Sequence, residues 1–161
     1  MSKVFLALGS NVGSRQEFLF LAKEELKKIG ELLLLSSVYE TQPLGDSESW
    51  FLNQVVLLET NLTPLDLLAA LKGIEKKLGR MDSGKWGDRE MDLDILFYES
   101  EVIDLPQLQI PHREIPKRNF VLIPLVEIAE NFSHPTLGKT MRELLESYPD
   151  NLKVTLWIPP S

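Results

Sequence analysis

This 161-residue sequence predicts an α+β domain, an antiparallel sheet with helices packed on it. Three observations lead there. Apolar runs of strand character alternate with two amphipathic stripes in the order strand, helix, strand, strand, helix, strand. Start and stop residues bracket both stripes. The composition, 43% hydrophobic and 25% charged, is ordinary for a globular domain and far from the disordered and membrane classes.

Val4 to Leu8 reads as a short strand, and Gly9-Ser10-Asn11-Val12-Gly13 as the turn after it. Ser14-Arg15-Gln16-Glu17 is a capping box opening a helix. Phe18, Leu21, Ala22, Leu26 and Ile29 recur at helical spacing, Lys23, Glu24, Lys27 and Lys28 take the outer face, and Gly30 is a stop. Leu32 to Tyr39 is the next strand. Beyond the breaker-rich loop Thr41-Gln42-Pro43-Leu44-Gly45-Asp46, Phe51 to Thr60 forms a long strand interrupted by Asn53 and Gln54. Thr63-Pro64 with Asp66 starts a second helix, whose stripe of Leu67, Leu71, Ile74 and Leu78 ends near Gly79. A polar loop, Arg80 to Glu90, leads into the strand Met91 to Tyr98. That order is the split βαββαβ arrangement of a ferredoxin-like core. A C-terminal helical and strand extension follows: a loop from Pro111 to Arg118, a helical stretch from Asn119 to Ala129 broken by Pro124, a capping box at Thr140-Met141-Arg142-Glu143, and an edge strand from Val154 to Trp157.

One domain is expected across residues 1–161, long enough to bury roughly 70% of its unfolded surface. The apolar stretches Leu32 to Leu35 and Phe120 to Ile128 fall well short of the roughly 18 residues of a membrane span. Met1 leads almost directly into a strand, so a cytoplasmic protein without a membrane partner is expected. Zero cysteines exclude disulfides and thiolate metal sites. A net charge of −7 argues against a general nucleic-acid partner but allows a small basic pocket. Four of the six arginines, Arg80, Arg89, Arg113 and Arg118, lie between residues 80 and 118 among many carboxylates. Bidentate phosphate contact and plain salt bridges both account for them.

Asp92 and Asp94 stand one residue apart inside the apolar run Met91 to Tyr98. Strand neighbours i and i+2 share a face, roughly 6.6 Å apart, so both carboxylates project from one side of the sheet. Aspartate is depleted in strands, and a buried carboxylate costs several kcal/mol unless a positive charge meets it. A hard divalent cation, magnesium or manganese, is the economical candidate. An edge-strand solubility device or pairing with arginines is the alternative. In this topology the loops Gln42 to Trp50, Arg80 to Glu90 and Pro111 to Arg118 flank the pair. Metals on the aspartates would bind a polyphosphate, and Arg80, Arg89, Arg118 and His112 would offset transition-state charge. A Gly-x-x-x-x-Gly-Lys-Ser/Thr loop is absent, and Gly9 to Gly13 is explained as a tight turn without any ligand.

Several blocks together carry a family resemblance: Ala7-Leu8-Gly9-Ser10-Asn11, Thr41-Gln42-Pro43-Leu44-Gly45 with Phe51-Leu52-Asn53, Trp86-Gly87-Asp88-Arg89-Glu90-Met91-Asp92-Leu93-Asp94-Ile95, Ile110-Pro111-His112 and Arg118-Asn119-Phe120. In that order, over nearly the whole chain, they resemble 6-hydroxymethyl-7,8-dihydropterin pyrophosphokinase of the folate pathway. The resemblance implies diphosphate transfer from MgATP to the pterin hydroxymethyl group, releasing AMP. Asp92 and Asp94 match the ligands of two magnesium ions. Arg80 and Arg89 match loop arginines that engage the phosphates and, with the aspartates, make up the catalytic set. His112 and Arg118 match ATP-site residues, and Glu75 and Ile95 nucleotide-side contacts. Phe51 and Phe120 match an aromatic pair around the pterin, Asn53 an amide reading its edge, and Thr41 and Leu44 the lining of that pocket. Trp86 matches a residue that covers the pocket or anchors its loop. Departures are Asp88 where many relatives have proline, Asp82 for a loop arginine, Gln107 for a basic nucleotide contact, and a loop one residue shorter before Trp86. Lys85 and Arg113 are candidates to substitute.

ATP and the pterin are then the partners, and a monomer is expected. Two other readings stand beside this one: a magnesium-dependent nucleotidyl or phosphoryl transferase using the same aspartates, and a ferredoxin-like regulatory or RNA-binding module. The acidic balance disfavours the latter.

Overall fold

The structure is a computed structural model that describes residues 1–10, 15–41, 50–81, 91–147 and 153–158, the side chains of residues 80 and 81 excepted. Its principal sheet is built from β1 (Ser2–Ser10), β2 (Glu31–Leu35), β3 (Tyr39–Thr41), β4 (Phe51–Thr60), β5 (Met91–Tyr98) and β8 (Val154–Leu156). β6 (Ile103–Leu105) and β7 (Leu108–Ile110) pair as a separate hairpin. The helices are α1 (Arg15–Leu26), α2 (Pro64–Met81), α3 (Asn119–Ala129) and α4 (Met141–Ser147), with a 3-10 turn at Ile115–Lys117. The sheet order is β5-β1-β4-β3-β8, with β2 beside the far half of β4 and every pairing antiparallel. This is the expected ferredoxin-like core.

Alternation along the strands sorts side chains into two cores. Val4, Leu6 and Leu8 of β1, Leu52, Val56 and Leu58 of β4, and Leu93 and Ile95 of β5 face one side, against Phe18, Ala22 and Leu26 of α1 and Leu67, Leu71 and Leu78 of α2. Phe5, Val55, Leu57, Leu96 and Phe97 face the other, under Val121, Leu122 and Leu125 of α3 and Met141 and Leu144 of α4. A register shift between Phe5 and Leu6 lets adjacent Leu96 and Phe97 enter the same core.

Local signals hold in most places. Thr63 accepts the Asp66 amide at 3.3 Å at the start of α2, with Pro64 the first helical residue. Thr140 and Glu143 cap α4 reciprocally at 2.9 and 3.1 Å, a complete capping box. Ser14, which would cap α1, lies outside the described residues. β8 pairs with β3 as an edge strand.

Three details depart from expectation and a fourth adds to it. The strand read from Leu32 to Tyr39 is broken into β2 and β3, because Ser36 turns its hydroxyl to the Val55 amide at 2.9 Å and its own amide to the Val55 carbonyl at 2.8 Å. α3 runs through Pro124, whose ring is itself buried beside Val121, Leu122 and Leu125; packing outweighs the lost backbone bond. α2 continues past Gly79 to Met81. Gly30 serves close approach as well as termination, since a Cβ there would lie 2.3 Å from the Glu59 carbonyl oxygen.

His134, just ahead of Pro135, carries the local signature of a solvent-facing loop residue but is 5% exposed. Its Nδ1 accepts the amides of Thr136 at 3.3 Å and Leu137 at 3.2 Å, and its ring meets Phe97 edge-on at 5.5 Å. Burial holds its pKa below the ordinary value, so the fold favours the neutral ring. The sign follows. This stabilisation is full above the unfolded value of about 6.5 and is lost as pH falls from there through the lower folded value. Urea midpoints are expected to drop between pH 7.5 and 5.5 more in the parent than in His134→Asn; equal drops would contradict it.

Candidate active site

The site grows from the cross-strand register. Tyr39 pairs with Asn53, Asn53 with Gly9, and Gly9 with Asp92, a row across four strands on the α3 face. One step along, Val55, Ala7 and Asp94 form the next row. One step the other way, Thr41 pairs with Phe51. Period-two geometry therefore brings Thr41, Phe51, Asn53, Asp92 and Asp94 to one face from three distant parts of the chain. Gly9 has no side chain at the centre of the row. A Cβ there would come 3.3 Å from Asn53 Nδ2, so glycine keeps the floor between amide and carboxylate open.

The amide end is ordered from behind. The Thr41 hydroxyl donates to Asn53 Oδ1 at 2.6 Å, and the two residues are 3% and 9% exposed. That bond occupies the carbonyl end of the amide and leaves its NH2 beside Gly9. Tyr39 donates to Glu127 Oε1 at 2.8 Å, and Glu127 also accepts the Ser37 amide at 2.9 Å and hydroxyl at 2.7 Å. Burial, reinforced by Glu127, pushes the Tyr39 phenol up to about 12, so it stays protonated as a donor. α3 is thereby tied to the β2–β3 connection. Phe120, in its first turn, is half-buried against the core on the same face.

The carboxylate end differs from expectation in burial. Asp92 is exposed and Asp94 half-buried, because the α3–α4 core packs on Phe5, Leu96 and Phe97 further along the strands. The desolvation cost inferred from the apolar run is correspondingly small. What persists is two carboxylates on one face with solvent access. Among the described residues no group of three or more His, Cys, Asp or Glu could hold a metal. A pair of carboxylates alone fits magnesium, which keeps several waters and takes further ligands from phosphate oxygens.

The outer edge of β5 is closed by two groups. Glu75 of α2 accepts the Leu93 amide at 2.7 Å through Oε2, between the two aspartates, while Oε1 lies 3.4 Å from Lys72. The His112 amide donates to the Leu96 carbonyl at 3.1 Å. His112 Nδ1 accepts the Glu114 amide at 3.2 Å, which leaves Nε2 to carry the proton in the neutral ring. The Arg118 guanidinium sits 5.4 Å from the Phe120 ring centroid and 3.7 Å from Glu114.

Of the sequence-derived site residues, Ile95 is 4% exposed in the α1–α2 core, so its side chain faces away from the aspartates. Arg80 is in the last turn of α2, its side chain beyond what is described, and Leu44, Trp86 and Arg89 lie outside the described residues, as do Asp82, Lys85 and Asp88. Gln107 is exposed between β6 and β7, and Arg113 is exposed after His112. Sequence reading missed the Tyr39–Glu127 tie and the contacts of Arg15, which join residues 88 and 25 or more positions apart without a local signal.

The family described as 7,8-dihydro-6-hydroxymethylpterin-pyrophosphokinase matches residues 5–130. A 2-amino-4-hydroxy-6-hydroxymethyldihydropteridine pyrophosphokinase of Aquifex aeolicus is 42% identical over 144 residues, 89% of this chain and 90% of its own. The protein of the same name from Pseudomonas aeruginosa is 40% identical over 152 residues, 92% of this chain and 93% of its own. Among solved structures, wild-type Plasmodium falciparum HPPK-DHPS with pteroate aligns with a TM-score of 0.73 at 18% identity over 90% of this chain. This chain spans 42% of that longer one, and the likeness is one of fold.

Proposed function

This chain belongs to the 7,8-dihydro-6-hydroxymethylpterin-pyrophosphokinase family, and from that premise we propose how its residues carry out the reaction. The enzyme transfers diphosphate from ATP to hydroxymethyldihydropterin in folate biosynthesis. The hydroxymethyl oxygen forms a bond to the β-phosphorus, the bond from that phosphorus to the α–β bridging oxygen breaks, AMP leaves, and the hydroxyl proton is released.

Asp92 and Asp94 would hold two magnesium ions. Bound there, the metal would neutralise phosphate charge and lower the pKa of the substrate hydroxyl. Arg80, Arg89 and Arg118 stabilise charge on the transferring group, together with His112, whose Nδ1 is taken by the Glu114 amide so that Nε2 is the nitrogen left to donate. No side chain is assigned as general base, since a dissociative transfer needs little prior deprotonation. Thr41, Leu44, Phe51, Asn53, Trp86 and Phe120 take the pterin: a flat heteroaromatic needs ring faces and a few oriented polar groups. Glu75 contributes by holding the Leu93 amide between the metal ligands. Any Ile95 contact with nucleotide runs through its backbone. Residues 1–161 form one pyrophosphokinase domain that acts in the cytoplasm as a monomer on two small molecules, and the acidic balance weighs against a nucleic-acid partner. Among the described residues no helix is long and apolar enough to cross a membrane.

The observation that carries the reading is the row that sets Asn53 and Asp92 on opposite sides of side-chain-free Gly9. Incubation with ATP, magnesium and the pterin is expected to yield AMP and pterin diphosphate in equal amounts. Free diphosphate or orthophosphate would instead point to a nucleotidyltransferase or hydrolase. Calorimetry with a non-hydrolysable ATP analogue is expected to require magnesium, with the pterin binding more tightly afterwards.

Arg89→Ala tests the charge-stabilising role. Removing a cation that acts mainly in the transition state is expected to lower kcat by about 10³-fold, with the analogue's Kd changed by much less. Unchanged kcat would exclude the assignment.

A further inference from the structure

Arg15 opens α1, where a cation opposes the helix dipole and costs a few tenths of a kcal/mol. Its contacts lie elsewhere. Nη1 donates to Glu40 Oε2 at 2.8 Å and to the Trp50 carbonyl oxygen at 2.7 Å, with the Arg15 and Glu40 side chains 24% and 29% exposed. Glu40 immediately precedes Thr41, and Trp50 immediately precedes Phe51. Thr41 and Phe51 are register partners, and Thr41 orients the Asn53 amide. Glu40 pairs with Leu52, whose side chain enters the α1–α2 core, so the guanidinium grips the two strands from the face opposite the site.

We propose that Arg15 is a positioning residue for pterin recognition: by clasping Glu40 and the Trp50 carbonyl it fixes the separation and register of Thr41, Phe51 and Asn53 from behind the sheet. This role rests on the assignment of those three residues to the pterin. It follows from chain geometry. β3 is only three residues long, so few ladder bonds hold its end to β4. Charge-assisted bonds to Glu40 of β3 and to the carbonyl of Trp50, just ahead of β4, supply what that short ladder lacks. Glu40 and Trp50 lie on the β3 and β4 side of the site, and the aspartates on β5, with β1 between them.

The test is a split between two affinities in the full chain. The pterin Kd is measured with a non-hydrolysable ATP analogue and magnesium at saturation, and the analogue's Kd separately. Arg15→Ala is expected to weaken pterin binding about tenfold, the equivalent of about 1.4 kcal/mol, with the analogue's Kd within about twofold of the parent. Glu40→Gln is expected to act in the same direction, Arg15→Lys to recover part of the loss, and Arg15→Ala with Glu40→Gln to add little to Arg15→Ala alone. Parental pterin affinity in both Arg15→Ala and Glu40→Gln overturns the role. So does equal weakening of pterin and nucleotide, which is the mark of general loss of structure. If the alanine variant does not fold, Glu40→Gln carries the same comparison. A parent chain that binds nucleotide but no pterin overturns the functional reading first, before any substitution is made.

Discussion

Asp94→Asn is expected to lower kcat by about 10³-fold or more while the protein stays folded. The exchange keeps size and hydrogen-bonding capacity but removes the charge that would bind a divalent cation, and metal-derived stabilisation of several kcal/mol corresponds to that factor. Because Asp94 is only half-buried and stands outside the α3–α4 core, the thermal midpoint should move by no more than a few degrees. Pterin affinity without nucleotide should change little, since Thr41, Phe51 and Asn53 approach from the far side of Gly9, whereas its tightening by nucleotide should be lost. Asp92→Asn is expected to behave alike, with both variants losing the magnesium dependence of nucleotide binding. Initial rates of AMP release at saturating substrates check this. A variant with near-parental kcat would remove the metal assignment and leave the pair as a surface feature.

Phe97→Ala is expected to show the largest loss of stability, about 3–5 kcal/mol by urea denaturation, with the m-value unchanged. Phe97 is fully buried, with ring centroids 6.2 Å from Phe5, 4.8 Å from Phe132 and 5.5 Å from His134. These partners come from β1 and the segment between α3 and α4, so truncation loosens the whole second layer rather than one contact. A loss under about 1 kcal/mol would mean that the neighbours collapse into the space. Because Phe97 shares a strand with Asp94, part of any activity loss is expected to be recovered at lower temperature or by substrate binding.

Most elements were legible from pattern alone. α2, β4 and β5 carry long unambiguous periodicity, and Thr140 with Glu143 declares the start of α4 within four residues. What escaped reading is set by distant partners. The break between β2 and β3 comes from Ser36 meeting Val55, continuity through Pro124 comes from core packing, and burial of His134 comes from Phe97; none has a local trace. The β6–β7 hairpin is too short to declare itself. The two aspartates were readable as same-face neighbours, but their exposure was not, since it depends on where α3 stops covering the sheet. Arg15 looked like a mere capping-box residue until its reach to Glu40 and Trp50 was visible.

Among the described residues β5 is the outermost strand on its side of the principal sheet, and an uncovered outermost strand is a template on which another polypeptide can polymerise. The Glu75 carboxylate on the Leu93 amide and the His112 amide on the Leu96 carbonyl occupy the docking points such a strand would use. The chain can thus leave two acidic side chains open to solvent on a peripheral strand without inviting amyloid-like self-association there.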